Sequence, residues 1–83
     1  MSKPSTAAVE AVCRDVASGI LGVAPETLRP DSGAETLAGW DSLNVVRIIL
    51  ATEARLDTRL SRNEIERLSV FGDIVAAFAR HAA

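Results

Sequence analysis

An all-α fold, a small four-helix bundle with a long loop between helices one and two and a short third helix, is predicted for this 83-residue chain by three observations. Apolar residues recur at three- and four-residue steps in three segments, the spacing of helices with a buried face. Ser, Thr or Asp stands where those segments begin, and a side-chain oxygen there can accept an orphan backbone N–H. A stretch punctuated by Pro25, Pro30 and Gly33 separates the first two segments and sustains no period.

The first helix is expected over about Ser5 to Leu21, with Ser5 or Thr6 as its cap and Ala8, Val9, Val12, Val16 and Ile20 as its apolar stripe. Glu10, Arg14 and Asp15 lie away from that stripe, and Gly19 and Gly22 bracket an end suited to a C-terminal cap. Residues 22 to 40 form the long connection. Pro25-Glu26-Thr27-Leu28 can make one helical turn, Pro leading. A loop of this length needs tethers, and Val23, Leu28, Leu37 and Trp40 are available. It is long enough to cross the bundle and deliver the second helix parallel or inclined to the first.

The second helix is expected from Ser42 to about Leu56, with Asp41 as its N-cap. Its apolar residues exceed one stripe. Ile48, Ala51, Thr52 and Leu56 can face the interior, Leu43, Val46 and Leu50 lie round the side, and Val45 and Ile49 widen the band. A central helix buried on most sides would explain this. An exposed apolar patch near Ser42, marking a partner site, would explain it too. Ser61-x-x-Glu64 reads as a capping box for a brief third helix, Arg62 to Leu68, with Ile65 and Leu68 inward. Phe71, Ile74, Val75 and Phe78 are spaced for a final helix ending near Arg80, which leaves His81 at a frayed, solvated end.

Composition excludes several classes of function. The chain is short enough to be one domain, 1–83, with residues 1–4 expected to be disordered. The single Cys13 permits no internal disulfide and reads as a small buried filler. One His and one Cys give a zinc site nothing to build on. Net charge is −2 without a basic run, so nucleic acid is not an expected partner. No apolar run approaches a membrane span and the N-terminus has no signal-peptide core, so a cytoplasmic, soluble chain is expected.

Ser42 is the residue singled out. It sits at the join of loop and helix, held in place yet accessible, behind Gly39-Trp40-Asp41. Asp-Ser before an apolar run often only starts a helix, and Trp40 can be a core anchor; on those two residues alone a structural role is the simpler reading. Taken together, Gly39-Trp40-Asp41-Ser42-Leu43 resembles the prosthetic-group attachment motif of the acyl carrier and peptidyl carrier proteins, an Asp-Ser-Leu core often preceded by Gly-Trp. The resemblance runs from about Ala7 to Phe78. Leu21-Gly22-Val23 with Pro25-Glu26-Thr27-Leu28 is similar to the family's loop entry, Glu53 to Asp57 to its acidic helix-two exit, and Phe71-Gly72-Asp73-Ile74 to its final-helix signature.

The resemblance implies that a phosphopantetheinyl transferase attaches 4'-phosphopantetheine to Ser42, with Asp41 as motif neighbour, and that acyl or aminoacyl groups ride on the arm as thioesters. It also implies a loading enzyme (an adenylating ligase or an acyltransferase), then synthase, condensing or tailoring enzymes downstream, and a free-standing monomer. The chain shows no Ser-His-Asp or Cys-His set, and so reads as a carrier and not an enzyme. Fatty-acid carriers tend to have a strongly acidic second helix, whereas here Arg47 and Arg55 outnumber Glu53 between Ser42 and Leu56. Partner recognition is therefore assigned to Leu43, Val46, Arg47 and Leu50, and the role to polyketide, nonribosomal-peptide or related specialised biosynthesis. The alternatives are a housekeeping fatty-acid carrier and an unmodified helical interaction module.

Overall fold

The computed structural model describes residues 4–82 and is all-α. Helix α1 spans Thr6–Leu21, a 3₁₀ turn Pro25–Thr27, α2 Ser42–Leu56, α3 Arg62–Glu66 and α4 Phe71–Ala82. The expectation of disorder at residues 1–4 falls, for residues 1–3, outside the described residues.

Local chemistry sets most of these limits. The Ser5 side chain accepts the Ala8 N–H at 3.1 Å, and Gly22, at φ 68°, closes α1 by donating its N–H to Ser18 O at 2.9 Å. Ser61 and Glu64 form the reciprocal capping box of α3. Helix α3 is shorter than expected because Arg67 is already its C-cap, with the Leu68 N–H making a three-residue bond to Ile65 O; Ile65 and Leu68 are only half-buried. Helix α4 runs past Arg80 to Ala82.

Helix α1 packs against both α2 and α4. The core joins Val9, Cys13, Val16 and Ala17 of α1 to Ile48, Ile49 and Thr52 of α2 and to Phe71, Ile74, Ala77 and Phe78 of α4. Two expectations change here. Ala8 is exposed, so the α1 stripe begins at Val9; Ile49 is fully buried instead of flanking, while Ala51 and Leu56 are only half-buried. Buried Thr52 needs a partner, and its hydroxyl donates to Ile48 O at 2.7 Å within the helix. Burial pushes the Cys13 thiol up to about 11, which removes it as a nucleophile and leaves it as packing.

The long loop is held by specific contacts. Leu28 and Trp40 are buried in the core, with Val23 and Leu37 packed at its edge. Arg14, expected to be peripheral, instead reaches across the loop. Its guanidinium donates to Pro25 O at 2.8 Å and to Leu28 O, pairs with Glu10 at 2.8 Å, and lies 5.3 Å from the centre of the Phe71 ring. The start of α4 closes the other side: Phe71 N–H donates to Ser32 O and Gly72 N–H to Pro30 O, both at 2.8 Å.

His81 also departs from expectation in one respect. It is solvent-exposed as expected, but its Nε2 lies 2.9 Å from Glu64 Oε2, so the end of α4 is tied to α3 instead of fraying. The Ser61 N–H, and after it His81, hold the Glu64 carboxyl down at about 2 against an ordinary 4.5. A depressed carboxyl stabilises the fold fully above its unfolded value, and that contribution disappears as pH falls from about 4.5 toward 2. Glu64→Gln keeps an acceptor for the Ser61 N–H but loses the charge. Thermal midpoints of wild type and variant are therefore expected to differ most above this window and to converge as the pH is lowered through it.

Candidate functional site

The site is assembled at the N-terminus of α2. Gly39 adopts φ 83°, a left-handed conformation that strains any residue with a Cβ, and this turns the chain into Trp40. Trp40 is buried, and its indole N–H donates to Ser69 O at 3.2 Å, bracing the helix start against the connection between α3 and α4. Asn44 reaches back to donate its amide to Gly39 O at 2.8 Å.

Asp41 has the extended backbone of an N-cap (φ −135°, ψ 173°), and its Oδ1 accepts the Asn44 N–H at 2.9 Å. The Val45 N–H donates to Asp41 O at 2.9 Å as the first bond of the helix. Capping thus falls to the Asp41 carboxylate, and the Ser42 hydroxyl stays outside it, on the exposed first residue of α2. The leading backbone N–H groups of a helix lack intrahelical partners and carry the positive end of its dipole, which suits an anion bonded at this point. Asp41→Ala is expected to destabilise the protein by about 1 kcal/mol. Denaturant titration checks this, and the loss should be smaller for Asp41→Asn, which keeps a cap.

Beside Ser42 a cleft of about 460 Å³ opens between α2 and the α3 region, with Trp40, Val46, Ile49, Ile65 and Leu68 among its walls. On the outer side of α2, Leu43 is 69%, Val46 45% and Leu50 59% exposed, and Arg47 is exposed next to them. These residues follow one another at three- and four-residue steps, so they share a face. The excess apolar content of α2 is thereby divided. Ile48, Ile49 and Thr52 are buried, and Leu43, Val46 and Leu50 face outward.

Two residues that brace the site lay beyond the sequence reading. Arg14 holds the loop that leads to it, and Asn44 links Gly39 O to Arg47, whose guanidinium donates to Asn44 Oδ1 at 3.3 Å. Arg14 carries only a faint signal, a positive charge four residues after Glu10 on the side of α1 away from the apolar stripe. Asn44 carries none beyond its place in the first turn. Among the described residues no group of three or more His, Cys, Asp or Glu side chains is placed to hold a metal ion, and no helix is long and apolar enough to cross a membrane.

The described residues form a small helical bundle whose one cysteine is buried and whose one histidine is paired with Glu64. Comparison with known proteins gives the class. The sequence profile described as "Phosphopantetheine attachment site" matches residues 12–78. The chain belongs to this family of carrier proteins, non-catalytic proteins that bear 4'-phosphopantetheine covalently on a serine. Its relatives include the acyl carrier protein of Campylobacter hominis, 36% identical over 62 residues that cover 75% of this chain and 78% of the relative. The acyl carrier protein of Clostridium acetobutylicum is 29% identical over 68 residues, covering 82% and 88%. That of Syntrophobacter fumaroxidans is 29% identical over 77 residues, covering 93% and 95%.

Proposed function

We propose that Ser42 is the serine that bears the phosphopantetheine, with Asp41 as its capping neighbour, and that the whole chain, 1–83, is one carrier domain. The observation that carries this reading is the division of labour at the start of α2: Asp41 caps the helix and leaves an exposed hydroxyl on its first residue. The residues fit the group. Ser42 Oγ is positioned to form a bond to the pantetheine-linked phosphorus of coenzyme A, with its proton going to solvent or to the transferase and 3',5'-ADP leaving. The resulting phosphodiester sits where the first amides of α2 favour negative charge. Once bound, the arm supplies a thiol that holds cargo as a thioester. The chain's own part is to fix the attachment point, keep the base of the arm in the open and offer a face to other proteins.

That face is Leu43, Val46, Arg47 and Leu50, which together dock the phosphopantetheinyl transferase, a loading ligase or acyltransferase, and the synthase, condensing or tailoring enzymes that follow. We assign the protein to polyketide, nonribosomal-peptide or related specialised biosynthesis in the cytoplasm, as a monomer. The support is the charge of α2: Arg47 is exposed, and the helix's only carboxylate, Glu53, turns back to accept the Leu60 N–H at 2.8 Å. The names of the relatives, acyl carrier proteins, favour acyl cargo and keep a housekeeping fatty-acid role as the second reading.

Intact mass after incubation with coenzyme A, Mg²⁺ and a broad-specificity phosphopantetheinyl transferase tests the attachment. One added phosphopantetheine, mapped to the peptide that contains Ser42, is the expected result. No gain on folded protein, with a known carrier modified alongside, would leave an unmodified interaction module. The mass of the cargo on protein isolated from its own cells then decides the role: a saturated fatty-acyl series would overturn the specialised assignment.

A further inference from the structure

The outer face of α2 has a charge balance that points to the chemistry of its partner. Five carboxylates and arginines border or follow the apolar stripe besides Arg47, and most are already engaged. Asp41 is bonded to the Asn44 N–H, Glu53 to the Leu60 N–H, and Arg55 to Asp15 of α1. Asp57 and Arg59, both exposed and opposite in charge, line one hollow at the far end beside Leu50. Arg47 remains. It is exposed, forms no ion pair among the described residues, and lies one helical turn from both Leu43 and Leu50. The Ser42 end of the stripe therefore presents against apolar surface a guanidinium whose one side-chain bond is to the neutral Asn44 amide, on a molecule whose net charge is −2.

We propose that the protein surface that docks on α2 is an apolar pocket for Leu43, Val46 and Leu50 with a carboxylate at its edge opposite Arg47, and that Arg47 is a specificity residue that rejects basic docking surfaces. This deepens the reading of Leu43, Val46, Arg47 and Leu50 as the docking face and rests on it. The physical basis is twofold. Apolar contacts hold any complementary pocket, whereas a like charge pressed against Arg47 loses its water without gaining a partner. A carboxylate at the same place gains a charge-assisted hydrogen bond to the guanidinium.

The test uses the full chain, ¹⁵N-labelled, and two synthetic amphipathic helical peptides that share one apolar face. One is flanked by glutamates and the other by lysines. At low ionic strength the glutamate-flanked peptide is expected to shift the amides of α2 from Leu43 to Leu50 and to bind about fivefold more tightly than its lysine twin. Whole-molecule attraction to a chain of charge −2 would favour the opposite order, so this preference reads the local face. Arg47→Ala should bring the two peptides to near parity, and Arg47→Glu should reverse them. Tighter or equal binding of the lysine peptide by wild type, an unchanged preference in Arg47→Ala, or no α2 shifts with either peptide would each overturn the proposal. Phosphopantetheine transfer to the same sample is scored separately by intact mass. A mass gain with the wrong peptide order removes only the charge proposal, and a missing mass gain removes the carrier site whatever the peptides do.

Discussion

Ser42→Ala is expected to abolish phosphopantetheine transfer completely while leaving the fold nearly unchanged. The two effects separate because of where the side chain sits. Ser42 is exposed, and the capping bond at this helix start belongs to Asp41, so removing the hydroxyl opens no cavity and orphans no buried donor. Alanine is also a good helix former, and an exposed first-turn substitution of this kind changes stability by no more than about 0.5 kcal/mol. Transfer, in contrast, needs the oxygen nucleophile itself, and no neighbouring group replaces it. Intact mass and a denaturation curve on the same preparation check both halves. Residual modification of the variant would move the attachment point to another hydroxyl. An unmodified variant that had also lost its cooperative unfolding would say nothing about the nucleophile, and Ser42→Thr, which keeps a hydroxyl, then separates chemistry from folding.

Gly72→Ala carries the largest expected loss of stability, about 2–3 kcal/mol. Gly72 is the second residue of α4, a place where alanine would ordinarily be favourable. Here a Cβ would stand 2.6 Å from Pro30 O and 3.1 Å from Pro30 Cα, and both of these are backbone atoms that cannot rotate away. To relieve the overlap the loop must retreat from α4, which lengthens the bonds from Gly72 N–H to Pro30 O and from Phe71 N–H to Ser32 O. Total stability of a domain of this size lies near the low end of about 5–15 kcal/mol, so the change is a large share of it. Urea titration should show the midpoint falling with little change in slope. At temperatures well below the new midpoint Ser42 should still be modified, because the braces of its helix start, Asp41 to Asn44 and Trp40 to Ser69, do not pass through Gly72.

The helix order, the starts of α1, α2 and α3 and the residue at the head of α2 are legible in the amino-acid sequence alone. Those features are local: Ser5 caps Ala8, Asp41 caps Asn44 and Ser61 exchanges bonds with Glu64, each across three residues. A side chain and a backbone group that near in sequence meet whatever the rest of the chain does. Which apolar side chains of α2 turn inward is set by tertiary packing, since Leu43 and Ile48 are both strongly hydrophobic and are told apart by whether the shared core covers them. The same packing also decided the long-range contacts: Arg14 against loop carbonyls, Trp40 against Ser69, His81 against Glu64, and the Gly72–Pro30 approach. These pairs are 11 to 42 residues apart in sequence, and what brings them together is the burial of one shared core, which no local pattern encodes.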